Sequence, residues 1–141
     1  MADFKRKDEV LLERKGSLSR VMLSESALFA SGSTRLTSHG KQIIDKIAGV
    51  LADYPDHEVF IEGHTDNVPI ASRYQNRFRS NWELSAARSL SVLHYIREKH
   101  RIDPKRLAVV GYGEHRPVAE NATEHGRAQN RRVVLAIMKP L

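Results

Sequence analysis

The sequence predicts an α/β fold in which a mixed β-sheet carries helices packed on one of its faces. Short alternating or β-branched segments recur along the chain, helical patterns separate them, and turn residues follow most of them. The predicted elements therefore follow the order β-α-β-α-β-(α)-β. Alternating units of this kind form a two-layer sandwich of sheet and helices.

Residues 1–17 are predicted to be a charged tail or linker, with at most a short helix, and residues 18–141 are predicted to be the folded domain. Alternating charges dominate the tail, and its one apolar cluster lies at positions 10–12. Residues 18–23 alternate between apolar and polar types, which predicts the first strand. A loop with an apolar plug is expected at residues 28–33.

The first long helix is predicted to begin at Thr37 or Ser38, either of which can act as its N-cap. Its apolar residues recur at the spacing of one helical face: Ile43, Ile44, Ile47, Val50 and Leu51. The strand predicted at residues 58–62 follows, and Gly63 is expected to end it.

The second long helix is predicted to begin at Ser80, which stands with Glu83 at the spacing of a capping box. Its predicted apolar face consists of Trp82, Ala86, Leu90, Leu93 and Ile96. This helix should form a right-handed parallel crossover between the strand that precedes it and the strand that follows.

The later strands are shorter or closer to the end of the chain. A strand is predicted at residues 107–110, ending at Gly111. A short helix at residues 123–130 and a strand at residues 132–138 complete the domain.

Composition excludes several classes of protein. Hydrophobic residues make up 40% of the chain and charged residues 28%, which is typical of a folded globular domain. The absence of cysteine excludes a disulfide framework, a thiolate metal site and a cysteine nucleophile. The net charge of +6 fits a nucleic acid, an anionic lipid surface or an acidic polymer equally well.

Candidate site residues follow the strand at residues 58–62. Asp66 lies just beyond its end, and ligands of α/β folds bind where strands end and helices begin. The second long helix begins at the same edge, which brings Asn81 and Arg88 near Asp66, with Leu84 on the face of Arg88. Asp66 also has an ordinary structural explanation as a turn residue.

Two interpretations of Asp66 and Arg88 remain open on this evidence. The two charges can pair with each other in a salt bridge, which stabilises little at a surface. Alternatively, the carboxylate binds an ammonium group while the guanidinium binds a carboxylate, so that the two residues hold both charges of a zwitterion.

The remaining charged groups give weaker signals. Arg127, Arg131 and Arg132 have no acidic residue between them, and they fit a solvated basic face, an ion-pair set, ligand contacts or a nucleic-acid patch. Catalysis has little support, because the seven histidines are scattered and no nucleophile elbow or P-loop is present. We therefore expect neither an enzyme nor a bound metal or cofactor.

Four motifs in order resemble the OmpA C-terminal-like peptidoglycan-binding domain, with a similarity that extends over residues 21–138. The motifs are GHTDN (63–67), NWELSAAR (81–88), GYGE (111–114) and NATEHGRAQNRRV (121–133). Members of that family bind the peptide stem of the bacterial cell wall without cleaving it, and a diaminopimelate residue is the usual anchor. The resemblance implies an OmpA-C-like fold and this non-catalytic function.

The resemblance also implies roles for particular residues. It assigns the key ligand contacts to Asp66 and Arg88. It places Thr65, Asn81 and Leu84 in the lining of the same pocket. Arg131 matches an arginine near the site, in a role that is either structural or direct.

Residues 68–70 and 80–85 resemble MotB-type flagellar stator proteins, and residues 28–33 resemble a segment of the same family. Wall-binding domains of type VI secretion membrane proteins share these patterns and are the alternative. The resemblance implies a periplasmic domain, cut from a protein anchored in the inner membrane, that forms homodimers and has a membrane-embedded channel partner. Nucleic acid is not expected as a partner, since aromatic residues suited to base stacking make up only 6% of the chain.

Overall fold

The computed structural model describes residues 10–140 and shows a mixed sheet with helices packed on one of its faces. The strands are β1 (Val10–Lys15), β2 (Leu18–Ser24), β3 (Glu58–His64), β4 (Leu107–Gly113) and β5 (Arg132–Met138). The helices are α1 (Glu25–Leu28), α2 (Ser38–Ala52), α3 (Asn81–His100) and α4 (Glu124–Asn130), with 3-10 turns at Ser72–Tyr74 and Pro104–Arg106. The predicted α/β class is confirmed.

Strand order explains why one edge of the sheet collects the candidate residues. The order is β1-β2-β5-β3-β4, with β3 and β4 parallel and the other pairs antiparallel. Helix α3 connects the two parallel strands, as the predicted crossover requires. Strands β2, β3 and β4 consequently run in one direction and end at the same edge, where β5 begins.

The predicted charged tail is wrong for residues 10–15, which form the edge strand β1. Val10 is fully buried and Leu12 packs against the core, whereas the charged residues that follow are exposed. The charges conceal this alternation in the sequence, because only two residues of the strand face inward. Gly16 adopts a φ of 62° and permits the tight turn into β2. Residues 1–9 of the predicted tail lie outside the described residues.

Helix α2 has the predicted cap and the predicted apolar face. The Thr37 side chain accepts a hydrogen bond from the backbone N–H of Gly40 at 2.9 Å. Of the predicted face, Ile44, Ile47 and Leu51 belong to the core, whereas Val50 is half-exposed. The apolar plug before this helix is also confirmed, since its first two residues, Leu28 and Phe29, are buried in the core.

The predicted start of α3 is confirmed, and its predicted inward face is confirmed for Ala86, Leu93 and Ile96 but wrong for Trp82 and Leu90. Ser80 caps the helix by accepting from the N–H of Trp82, and its hydroxyl donates to Glu83. Trp82 and Leu90 are nevertheless 48% and 39% exposed. The buried positions are mostly small or polar: Asn81, Ser85, Arg88, Ser89, Val92 and Ile96.

Two glycines explain why small residues of α3 face the sheet. A Cβ atom on Gly63 would lie 2.2 Å from the backbone oxygen of Ser85, and one on Gly111 would lie 2.9 Å from Ala86. The sequence predicts that each glycine ends its strand, but the structure places both of them within their strands. Their role is to let the α3 backbone approach β3 and β4 closely.

The last two elements, α4 and β5, agree with the sequence prediction. Thr123 caps α4 by accepting a hydrogen bond from the N–H of Gly126 at 3.1 Å. Across residues 10–140, the structure contains no helix with both the length and the hydrophobicity needed to span a membrane.

Candidate ligand-binding site

A pocket of about 340 Å³ opens at the sheet edge where β3 ends and α3 begins. Its walls come from α1, Gly32, the two residues after β3, the loop at residues 67–79, the first two turns of α3, and α4 with the residue after it. All six residues that the sequence assigned to a ligand site line this pocket: Thr65, Asp66, Asn81, Leu84, Arg88 and Arg131. The structure therefore brings them together, and their roles in binding stay predictions.

Asp66 lies directly beyond β3, and both of its carboxylate oxygens have partners. Oδ1 accepts a hydrogen bond from the N–H of Val68 at 3.0 Å, the arrangement that makes aspartate common in turns. Oδ2 accepts a hydrogen bond from Arg131 at 2.8 Å. Asp66 is thus both a turn residue and a wall of the pocket.

Arg88 has Glu25 as its ion-pair partner, not Asp66. Its guanidinium lies 2.9 Å from the Glu25 carboxylate, and its Nε donates to the carbonyl of Ser33 at 3.1 Å. The same group lies over the ring of Phe29, 5.4 Å from the centroid. Burial lowers the pKa of Arg88, and the charge of Glu25 opposes that shift. These contacts fix the orientation of a buried guanidinium beside the pocket.

Glu25 is a charged pocket residue that the sequence did not reveal. Its carboxylate lies 2.9 Å from Arg88 and 3.4 Å from Arg131, so this one side chain forms ion pairs with two arginines. Its Oε2 atom is buried and accepts no hydrogen bond within the described part of the chain. The available signal was its position, because an acid that directly follows β2 ends up at the same sheet edge as Asp66.

Arg131 contacts all three acidic residues of the pocket. It donates to Asp66 at 2.8 Å and to Glu124 at 2.6 Å, in addition to its contact with Glu25. Burial alone would lower the pKa of Arg131, but the hydrogen bonds to Glu124 and Asp66 outweigh it, and the pKa is raised. Arg131 in turn lowers the pKa of Glu124.

The interpretation of Arg127, Arg131 and Arg132 as a solvated basic face is wrong. Arg127 pairs with Glu124 and donates to the carbonyl of Asn121 at 2.8 Å. Arg132 is buried and donates to two backbone carbonyls, and burial lowers its pKa to about 10. Sequence neighbours separate here because α4 ends and β5 begins between them, so that their side chains point to different surroundings.

The two predicted polar wall residues hold backbone in place. The amide of Asn81 donates to the carbonyls of Asp66 and Val68 at 3.3 and 3.1 Å and to Glu114 at 3.2 Å. The hydroxyl of Thr65 donates to the carbonyl of Asp66 at 2.7 Å. These bonds fix the loop that carries the Asp66 carboxylate.

The charges of the pocket are balanced, and its rim is apolar. Three acids and three arginines line it: Glu25, Asp66, Glu124, Arg88, Arg127 and Arg131. Apolar side chains of the 67–79 loop and of α3 form the remaining wall: Val68, Pro69, Ile70, Phe78 and Leu84. Such a wall suits a short ligand that has opposite charges on an aliphatic backbone. No group of three or more potential metal-binding side chains occurs among residues 10–140.

Similarity to known proteins is found along most of the chain. The OmpA family matches residues 28–131, a range that contains all six predicted site residues. Motility protein B of Bacillus subtilis is 35% identical over 118 residues, which cover 84% of this chain and 44% of that protein. The chain therefore spans less than half the length of this relative.

Two solved structures are similar over nearly the whole chain. A MotB-like protein from Desulfovibrio vulgaris has a TM-score of 0.90 at 27% identity, covering 99% of this chain and 87% of that one. The cell wall anchor of the type VI secretion system from Pseudomonas aeruginosa has a TM-score of 0.88 at 33% identity, covering 99% and 94%. Sequence and fold thus agree, and the chain belongs to the OmpA family.

Proposed function

We propose that this domain binds the peptide stem of peptidoglycan without cleaving it and thereby anchors a membrane complex to the cell wall. The observation that carries the proposal is the pairing within the pocket. Asp66 and Arg88 do not neutralise each other, because each has its own partner. The pocket therefore holds the acid and the guanidinium in two separate ion pairs, and a zwitterionic ligand can bind by exchanging contacts with both of them.

The free end of a diaminopimelate residue carries one ammonium and one carboxylate. Arg88 is suited to the carboxylate, since a guanidinium binds it in a planar fork. Asp66, whose carboxylate lines the pocket, is suited to the ammonium group. The aliphatic chain of the ligand would pack against Leu84 and the apolar rim.

The expected affinity is modest. A charged hydrogen bond contributes roughly 1.5–3 kcal/mol, but the ligand competes with ion pairs already formed inside the pocket. Two or three such bonds give a dissociation constant on the order of micromolar to millimolar. This range suits an anchor on a repeating polymer, where many weak contacts act together.

We propose that the anchored membrane complex is a flagellar stator. In this proposal the present domain is the periplasmic part of an inner-membrane protein. The support is the similarity to Motility protein B of Bacillus subtilis, whose name places it in motility, and to a MotB-like protein of known structure. In this proposal the whole protein forms homodimers and associates with a membrane-embedded channel subunit. A type VI secretion anchor is the second candidate, because the domain is 33% identical to such a wall anchor.

Binding is tested by co-sedimentation with purified sacculi. Wild type should pellet, and Asp66→Asn and Arg88→Ala should stay in solution, while Arg97→Ala, an exposed arginine on the same helix, serves as the matched control. Free diaminopimelate should compete with the sacculi. Equal pelleting of all variants contradicts the site, and release of soluble muropeptides by the pure protein would indicate a hydrolase.

The choice of complex is tested by domain exchange. A chimera that carries this domain in place of the wall-binding part of Motility protein B should restore swimming to a Bacillus subtilis strain that lacks that protein. Loss of restoration on introducing Asp66→Asn ties motility to the pocket. A chimera that binds sacculi and is inserted normally, yet never restores swimming, favours the secretion anchor.

A further inference from the structure

Trp82 and His115 form an exposed stacked pair at the N-terminal end of α3. Their ring centroids lie 4.5 Å apart with an angle of 23° between the planes. Trp82 is the only tryptophan of the chain and is 48% exposed. His115 is exposed as well. The hydrophobic core does not account for this pair, since neither ring belongs to the core cluster of the described residues.

The pair adjoins the proposed peptide pocket. Asn81, the neighbour of Trp82, lines the pocket, and its amide donates to Glu114, the neighbour of His115, at 3.2 Å. Asn81 therefore forms part of the pocket wall, and the residues that follow Asn81 and Glu114 form the aromatic pair. Gly113, with a φ of 62°, makes the turn that places Glu114 and His115 beside α3.

Peptidoglycan offers a chemical group that matches this surface. Its peptide stems branch from a strand of N-acetylated amino sugars, and one face of such a ring carries C–H bonds with partial positive charge. These bonds are attracted to the negative face of an aromatic ring, and the stack on His115 holds the indole in one orientation. The ring nitrogens of His115 can bond the hydroxyl groups at the edge of the sugar.

The length of the peptide stem is compatible with this arrangement. Two stem residues separate the sugar from the diaminopimelate, and two extended residues span about 7 Å. The Cα atom of Trp82 is about 3.8 Å from that of Asn81, which contributes to the pocket wall. A stem of this length is therefore long enough to connect a residue held in the pocket with a sugar beyond its wall.

We propose that Trp82 and His115 form a saccharide subsite, on which an amino sugar of the glycan strand stacks while its peptide stem is held in the pocket. This inference rests on the proposed function, and it adds the glycan to the ligand. An aromatic contact of this kind should raise affinity roughly two- to tenfold.

The first test compares two ligands: a stem peptide without sugar and the same peptide attached to its disaccharide. Wild type should bind the disaccharide-peptide roughly two- to tenfold more tightly than the peptide alone. Trp82→Ala should lose this difference and keep the affinity for the peptide. Leu90→Ala, which removes another half-exposed apolar side chain from α3, is the matched control and should keep it.

The second test needs no variant, so it holds even if Trp82→Ala is unstable. Because Trp82 is the only tryptophan, its fluorescence reports on this surface alone. The disaccharide-peptide should protect the indole from quenching by acrylamide, and the peptide alone should protect it much less. Protection that grows with protein concentration in the absence of ligand would instead indicate a contact between copies of the chain, and it would overturn the proposal.

The outcomes separate the two proposals. If wild type binds neither ligand, the proposed function fails and the subsite fails with it. If wild type binds both ligands equally, or if Trp82→Ala keeps the difference between them, the subsite is wrong while the proposed function stands.

Discussion

Arg131 donates a 2.8 Å hydrogen bond to Asp66, while Arg88, the arginine expected beside Asp66, pairs with Glu25 at 2.9 Å. The contact of Arg131 with Glu25 at 3.4 Å joins these two pairs into one network. An incoming zwitterion therefore meets charges that already have partners. The network fixes the side chains in advance, which lowers the entropy lost on binding and also limits the net gain from each new bond.

Replacing Glu25 with glutamine should destabilise the fold. The substitution leaves the buried Arg88 without its counter-charge, and removing one partner of a buried pair is costly. We expect the free energy of unfolding to fall by about 2–3 kcal/mol, less than for a fully isolated charge because Ser33 still accepts a hydrogen bond. Urea denaturation measures this change.

Glu124→Gln is the matched control for that prediction. Glu124 also pairs with a site arginine, Arg131, but its side chain is 67% exposed. Exposed pairs contribute about 0–1 kcal/mol, so this variant should unfold close to wild type. If the two variants lose equal amounts of unfolding free energy, the burial of Glu25 does not determine how much it contributes to stability.

Arg88→Lys should weaken binding even though the charge is kept. A lysine ammonium cannot contact Glu25 and the carbonyl of Ser33 while it also offers a planar fork to a ligand carboxylate. We expect affinity for sacculi to fall about tenfold, equivalent to about 1.4 kcal/mol, in a quantitative sedimentation assay. Wild-type affinity in this variant would mean that Arg88 acts only as a positive charge.

The local signals in the sequence predicted the helix starts well. Capping depends on a few adjacent residues, and Thr37, Ser80 and Thr123 all cap their helices in the structure. Asp66 and Arg88 were also placed correctly at one edge, because strand direction and helix start determine that edge. These features need no knowledge of distant contacts.

Features that depend on distant contacts were not predictable in this way. The apolar pattern of α3 predicts part of its inward face, but the glycines of β3 and β4 also bring the small polar residues Ser85 and Ser89 against the sheet, while Trp82 stays exposed. Glu25 was overlooked because its partners, Arg88 and Arg131, are distant in sequence and meet it only after the sheet has formed. Residues 10–15 were assigned to a tail because an edge strand buries only one of its faces.

Gly63→Ala should disrupt the packing of α3 on the sheet. The added Cβ would meet the backbone oxygen of Ser85 at 2.2 Å, and backbone cannot move aside as a flexible side chain can. We expect a loss of about 3 kcal/mol or more in thermal or urea unfolding, or no folded protein. Gly49→Ala is the control, because nothing lies within 4 Å of its added Cβ in α2. That variant should gain up to about 1 kcal/mol through helix propensity, and a similar loss in both variants would contradict this account of Gly63.

Asp45 should make the stability of the domain depend on pH in the acid range. It links α2 to α3 by accepting hydrogen bonds from Tyr95 at 2.7 Å, Lys99 at 2.8 Å and His100 at 2.8 Å. Burial would raise the pKa of Asp45, but these hydrogen bonds outweigh it and lower the pKa from 3.8 to about 2. Because the folded state holds the proton less tightly than the unfolded state, this stabilisation is complete above about pH 4 and is lost as the pH falls through 2.

The difference in unfolding free energy between wild type and Asp45→Asn isolates this contribution from that of the other acids. It should be about 1 kcal/mol at neutral pH, since the Asp45 side chain is 30% exposed and solvent screens the charges. We expect the difference to shrink towards zero between pH 4 and pH 2, as asparagine cannot change its charge. A difference for Asp45→Asn that stays constant over this range would mean that the hydrogen bonds to Asp45 contribute through their geometry and not through its charge.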